Sequence, residues 1–162
     1  MGYNTDFTGC INVDKPVDEE TKKLLHGLNS TRRMKRNVNK LAELLDISVE
    51  KCIELYGDEG ELYFSGYIDM GQSHTQDITN YNEPPTSQPG LWCNWRLNEQ
   101  NNTIEWDEMD KFYDFIEWLV YLVNILSNRG YILNGQISWE GEDRDDTGTI
   151  TVENNKVSSK YN

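Results

Sequence analysis

The sequence predicts an α+β fold: an antiparallel sheet of five to seven strands with two or three helices packed on one face. Three observations carry this. Strand-like segments come in runs, with helices between the runs, rather than alternating one by one. Several are joined by short spacers rich in Asn and Gly, which is hairpin chemistry. The longest helical stretch, at 109–128, is apolar on one wide face only, as suits a helix laid on a sheet.

Residues 6–13 (DFTGCINV) alternate loosely and predict a first strand, which DKPVDEE stops. Asp18 suits a helix N-cap, with Glu19 and Glu20 in the favourable first turn. Leu24, Leu25 and Leu28 then stripe a helix that runs to about Asn29. NSTRRMKRN reads as a polar, basic connector. Over 38–56, Leu41, Leu44, Leu45, Val49, Cys52, Ile53 and Tyr56 recur at helical spacing. Ser48 offers a cap for a new start, with Glu50 in its first turn, so one helix or two short ones both fit. Gly57 and Gly60 flank a turn, and 61–68 (ELYFSGYI) predicts a strand.

Residues 69–90 form a long polar stretch with three prolines. Structureless loops longer than about 12–15 residues are usually functional or disordered, so a mobile lid or binding loop is expected there. LWCNWRL and TIEWD, separated by NEQNN, predict a hairpin. Phe112, Phe115, Ile116, Leu119, Leu122, Val123 and Leu126 form the apolar face of the 109–128 helix, and Arg129 and Gly130 end it. YILNGQISWEG predicts a strand, and TGTITVENNKVSSKY two short ones around Asn154-Asn155. No internal repeat is visible. The expectation is a single domain, 1–162, with the loop at 69–90.

A chain of 162 residues buries a core without staples. Its five Trp, nine Tyr and four Phe offset a hydrophobic fraction of only 36%. Three cysteines, widely spaced and without a CxxC pair, argue against a zinc ribbon or a disulfide framework and for reducing surroundings. MGYNTDFTGC has neither a basic head nor an apolar stretch, so no secretory signal is expected. It resembles a myristoylation pattern, but Thr5 falls one place early. The apolar segment near 115–126 is interrupted by Glu117 and Asn124 and is too short and polar to span a bilayer. A cytoplasmic location is the expectation.

Net charge is −13, unevenly spread. Residues 21–42 hold seven basic residues and no acid, leaving eight basic against 28 acidic residues elsewhere. Such a field repels nucleic acid and attracts basic protein grooves; plain solubility is the other reading of it. The first acidic constellation is WEGEDRDDTG, where Glu140, Glu142, Asp143, Asp145 and Asp146 crowd seven positions. Asp143, Asp145 and Gly148 resemble part of a calcium loop, with Asp143, Asp145 and Asp146 as candidate metal ligands. However, Thr147 and Asn154 stand where further ligands belong. A solvated hairpin turn and an acidic docking surface are the other readings. The second comprises Glu105, Asp107, Glu108, Asp110, Asp114 and Glu117. Spacings of three and four put Asp110, Asp114 and Glu117 on one side of the expected helix, where like charges cost about 0.2–0.5 kcal/mol per pair unless a basic partner answers them.

Four bases within TRRMKRN make Arg32, Arg33 and Arg36 candidate phosphate ligands. Internal pairing with the acidic 140s and a plain solvated connector are the alternatives. In PGLWCNW, strand alternation puts Cys93 and Trp95 on one side and Trp92 on the other. Core packing of both tryptophans is one reading; an exposed Trp92, or Tyr67, as an anchor for a partner is the other. No phosphate-binding glycine loop, HExxH or GxSxG motif occurs, and two histidines are few for acid–base or zinc chemistry. No catalytic residue is assigned and no cofactor is expected, a divalent metal apart.

Together GYNTDFTG, TRRMKRN, QPGLWCNW and WEGEDRDDTG resemble a family of small acidic proteins of tailed phages and bacterial mobile elements, over nearly the whole chain. The resemblance carries over no catalytic residue. It implies a phage or mobile-element origin, and small phage accessory proteins often bind and disable a host or defence protein; the charge pattern adds the expectation that this one does so through an acidic surface in the manner of a nucleic-acid mimic. Two alternatives remain: a metal-dependent enzyme on nucleotides or phosphate esters, and a structural or virion component using the 69–90 loop. Direct nucleic-acid binding and membrane insertion are not expected.

Overall fold

The computed structural model describes residues 2–64 and 75–162. The chain forms two compact units, Met1–His26 with Cys93–Asn162, and Gly27–Trp92. Its elements are β1 (Thr5–Val13), α1 (Glu19–Ser30), β2 (Lys35–Arg36), α2 (Val38–Leu45), α3 (Val49–Tyr56), β3 (Ile78–Asn80), β4 (Trp95–Asn98), β5 (Thr103–Trp106), α4 (Phe115–Asn128), β6 (Leu133–Gly141), β7 (Thr147–Glu153) and β8 (Lys156–Tyr161). The fold is α+β, as the runs of strands predict. A six-stranded sheet in the order β4-β5-β1-β6-β7-β8 is antiparallel throughout. A two-stranded ribbon joins β2 and β3.

The first unit is built by strand alternation. Phe7, Ile11, Val13, Leu133, Ile137, Trp139, Ile150 and Val152 point inward and are buried. Thr8, Asn12, Gln136, Ser138, Ser158 and Lys160 face out and are exposed. The helix α4 lies on the inner face, burying Trp118, Leu119, Leu122, Val123 and Leu126. At its start an aromatic cluster closes the core. Phe7 meets Trp95, Phe112 and Phe115 at centroid distances of 5.0, 5.8 and 4.9 Å, and Trp95 donates its indole N–H to the Phe115 carbonyl at 2.8 Å. Gly148 is required by this core, since a Cβ there would stand 2.2 Å from the Trp139 ring. The first turn of α1 is pinned to the segment after α4. Asp18 accepts the Thr21 N–H at 2.8 Å and the Tyr131 hydroxyl at 2.8 Å, which together hold its carboxyl below the usual range.

Three sequence expectations shift. The helix expected from 109 starts at Phe115, because Glu108, Lys111 and Asp114 adopt left-handed φ values of 67, 57 and 56°. Asp110 therefore shares no helix face with Glu117, and Asp114 stands at the N-cap position just before the turn that holds it. The strand expected over LWCNWRL starts at Trp95, so Trp92 precedes it, half-buried. Glu61 and Leu62 form a turn rather than the start of a strand, and residues 65–68 of that expected strand, with Tyr67, lie outside the described residues. So do 69–74 of the expected 69–90 loop; residues 78–80 of that loop form β3.

In the second unit the 38–56 stretch is two helices. Asn37 caps α2 by accepting the Asn39 and Lys40 N–H groups. Asp46 ends it in the left-handed conformation (φ 56°, ψ 48°), and Ser48 caps α3 by accepting the Lys51 N–H at 3.1 Å. Leu41, Ala42 and Cys52 are buried between them, with Val38, Leu45, Ile47, Val49, Tyr56 and Tyr63 packed around.

Candidate functional site

The β6–β7 turn gathers the carboxylates of the 140s at one end of the sheet. The Gly141 N–H bonds the Asp146 carbonyl at 2.7 Å, and the Asp146 N–H bonds the Asp143 carbonyl at 3.0 Å, closing the turn. Below it, Asp146 accepts the Trp139 indole N–H at 3.0 Å through Oδ1 and the Tyr3 hydroxyl at 2.8 Å through Oδ2. Tyr3 Oη in turn accepts the Asp143 N–H at 2.9 Å, and Glu142 accepts the Asn4 N–H at 2.7 Å. The Asp143 N–H on its oxygen favours a phenolate. Burial, the bond donated to Asp146 and the charges of Asp143 and Asp146 nonetheless leave the Tyr3 pKa above the ordinary tyrosine value.

Tyr3 also joins the two acidic constellations of the sequence. Its backbone N–H donates to Tyr113 Oη at 3.1 Å, tying the 110–114 segment to the turn. Residues 108–114 hold three non-glycine left-handed residues within seven positions, a concentration of strain that the surrounding contacts must offset. Asp114 stands at the N-terminus of α4 without a side-chain cap bond, and burial, then the Glu117 charge, raises its pKa.

Register adds a carboxylate that the sequence reading missed. Asp6 on β1 pairs directly with Glu140 on β6, both exposed, so two like charges face each other across the ladder. Beside them Tyr3, Asp143, Arg144, Asp145, Asp146 and Tyr161 line an open depression. The Tyr161 ring stands edge-on to Trp139 at 5.4 Å and is 70% exposed. Tyr3, Asp6, Tyr113 and Tyr161 carried no local signal, because only strand pairing and turn geometry bring them here.

Other expected site residues lie elsewhere. Glu105 accepts from Arg96 at 3.2 Å and Asn98 at 3.1 Å within the β4–β5 hairpin, and Asp107 accepts the Met109 N–H at 2.9 Å. Glu117 is exposed in the first turn of α4. Trp92 belongs to the second unit. Of the candidate metal ligands, Asp143 and Asp145 are exposed while Asp146 already serves Tyr3 and Trp139. Among the described residues, no three His, Cys, Asp or Glu side chains are grouped to hold a metal ion.

The arginines expected to face phosphate turn inward. Arg33 is 1% exposed and donates to the carbonyls of Glu61 and Tyr63 at 2.9 and 3.0 Å, to Gln88 at 3.3 Å and to the Thr31 hydroxyl, with its guanidinium 4.8 Å from the Phe64 ring centre. Arg36, also buried, pairs with buried Asp77 beneath the Tyr63 ring. Arg32 lies over Tyr81 at 4.1 Å and donates to the Tyr81 carbonyl and to Asn82. The charge of Arg33 and Arg36 is thus used for structure within the second unit. Cys93 is fully buried, and no helix among the described residues is long and apolar enough to cross a membrane. Comparison with family models, with curated proteins and with solved structures finds no match for this chain.

Proposed function

We propose that the protein is a binding protein of phage or mobile-element origin that inhibits a host or defence protein by presenting the acidic end of its six-stranded sheet to a basic groove. The observation that carries this reading is the bridging by Tyr3. It bonds both to the 141–146 turn and to Tyr113, and Glu142, Asp143 and Asp145 are exposed at the end of the sheet where Asp6 pairs with Glu140. Charges held in place by hydrogen-bonded backbone need no ordering when a partner arrives. They also steer association with a basic surface. The exposed Tyr161 ring supplies the aromatic anchor such interfaces favour. A groove that normally holds nucleic acid matches a row of fixed anions, so the surface acts as a nucleic-acid mimic.

The test is affinity capture from bacterial lysate with the intact chain, followed by mass spectrometry and by titration of each purified candidate. A specific partner should bind with an affinity that falls steeply with salt, and duplex nucleic acid should compete for it. Replacing Glu142, Asp143 and Asp145 by their amides should weaken binding by about tenfold or more. Capture that neither salt nor these amides disturb overturns the reading.

A further inference from the structure

We propose that the free edge of β8 takes up an acidic, extended segment of another protein as an added antiparallel strand, a second binding surface that does not use the carboxylates of the sheet end. β8 closes the strand order, so among the described residues no strand pairs with its far side. The edge is regular: its ladder with β7 runs in step from Glu153↔Lys156 to Gly148↔Tyr161. Hydrogen-bond phase shows which groups are open. The Asn162 N–H bonds the Thr147 carbonyl at 3.0 Å, one rung beyond Gly148↔Tyr161, so that rung is a hydrogen-bonded pair. The Asn154-Asn155 turn, left-handed at both residues, closes on Glu153 and Lys156 in the same phase. Alternation then turns the backbone N–H and C=O groups of Val157, Ser159 and Tyr161 away from β7, along a strand whose residues 158–161 are all exposed. The opposite edge, β4, has four residues against six in β8. An unbulged edge of this length is a template for a further strand.

Side chains select the strand. Lys156, Ser158 and Lys160 share the outer face of β8, exposed, and the segment holds no acid. Across β7, Lys156 stands opposite Glu153 and Lys160 opposite Thr149; among the described residues neither lysine forms an ion pair. At physiological salt, charges beyond about 8 Å are screened. A docked strand therefore meets these two lysines before it meets the net −13 of the chain. A second copy of β8 would bring two more lysines and no acid to answer them, and like charges across a ladder destabilise it. A strand with Glu or Asp at every second position sets its carboxylates beside Lys156 and Lys160 and its remaining backbone groups against Val157, Ser159 and Tyr161.

The intact protein is titrated by fluorescence anisotropy with peptides of about eight residues in which Thr and Glu alternate, and with the same peptide carrying Lys for Glu. Two further probes are the Glu peptide methylated on its Thr nitrogens, which face β8 in the antiparallel pairing, and on its Glu nitrogens, which face solvent. The Glu peptide should bind and the Lys peptide should not. Methylation of the Thr nitrogens should weaken binding about tenfold or more, and of the Glu nitrogens less than about threefold. Lys156→Glu with Lys160→Glu should weaken the Glu peptide about tenfold and admit the Lys peptide. Ser159→Pro removes an N–H that β7 does not use and should also weaken binding about tenfold, whereas Asp143→Asn with Asp145→Asn should change it less than about twofold. Should the proline variant lose its fold by circular dichroism, the two methylated peptides decide alone. Absence of Glu-peptide binding, equal binding of the Lys peptide, or indifference to methylation of the Thr nitrogens overturns the proposal. So does a dimer in sedimentation that Ser159→Pro dissolves, which would assign the edge to a second copy.

Discussion

The two units solve the same problem, fixing a core, with opposite chemistry. The sheet unit uses interlocked rings: Phe7, Trp95, Phe112 and Phe115 meet edge to face or tilted within 6.3 Å. The smaller unit uses cations. Arg33 and Arg36 fan their N–H groups into carbonyls, Gln88 and Asp77, and lie against Phe64 and Tyr63. An aromatic core tolerates exchange of one apolar group for another. A buried charge tolerates no single deletion, because the partner left behind stays desolvated. The first unit should therefore degrade gradually and the second abruptly.

The largest effect should come from Arg36→Ala, which strands Asp77 at 1% exposure. Removing one member of a buried pair costs about 3–5 kcal/mol. Urea titration followed by hydrogen exchange should show lost protection in α2 and α3, since the Arg36 N–H bonds the Glu59 carbonyl and the Asn37 N–H bonds the Asp77 carbonyl at the entry to α2. The double change Arg36→Met with Asp77→Leu should recover most of the loss. If the single change is as mild as the double, the second unit does not depend on its buried charge and the contrast fails.

Next in size is Trp95→Phe. It keeps an aromatic ring against Phe7 but removes the N–H from the Phe115 carbonyl. The carbonyl keeps its partner within the helix, so losing the indole bond should cost about 0.5–1.5 kcal/mol, read by the same titration with exchange monitored in α4. A loss equal to that of Arg36→Ala would erase the difference between graded and abrupt failure.

The same contrast explains what the sequence revealed. The sheet unit was legible because its information is periodic and local: alternation in β1, β6 and β7, the Asn154-Asn155 turn with φ of 48 and 69°, and the Asp18 cap. TRRMKRN reads as a solvated or phosphate-facing run because charge is visible in a sequence and burial is not. The partner that decides the matter, Asp77, is 41 residues away. The helix start was misplaced because the φ reversals at Glu108, Lys111 and Asp114 have no glycine to announce them. Of the candidate site, the acidic turn was legible. The residue that organises it was not, since Tyr3 and Asp146 lie 143 positions apart.

A smaller perturbation asks whether the sheet end is as rigid as the strands that carry it. Tyr3→Phe removes the hydroxyl that serves both Asp146 and the Asp143 N–H but leaves the Tyr3 N–H on Tyr113. Exchange at the Asp143 amide should quicken while amides paired between β1 and β6 stay protected. Tyr113→Phe should instead expose the amide of Tyr3. Loss of protection along β1 in either variant would show the turn and strand to be one cooperative piece, and the acidic end could not then be tuned separately from the core.

The smallest effect should have the opposite sign. Asp114 precedes α4, where a carboxylate ordinarily gains from the helix dipole. Its side chain makes no cap bond, however, and burial and the Glu117 charge raise its pKa, so the ionised form is disfavoured in the fold. With the folded pKa above the unfolded one, the native state binds more protons in the interval between them, and stability falls as pH rises through it. Asp114→Asn keeps a side chain that accepts the left-handed conformation and removes the charge. At neutral pH the variant should be more stable, by about 0.2–0.5 kcal/mol for relief of the like-charge contact with Glu117. The gain should shrink as pH falls and vanish only well below the unfolded pKa of about 3.9, where the carboxyl is protonated in the folded and the unfolded parent alike. Thermal melts of the two proteins at pH 7 and pH 3.5 give the comparison directly. A variant less stable than the parent at pH 7 would mean that the dipole outweighs repulsion, and that the carboxylate at this edge is held by the fold rather than merely tolerated.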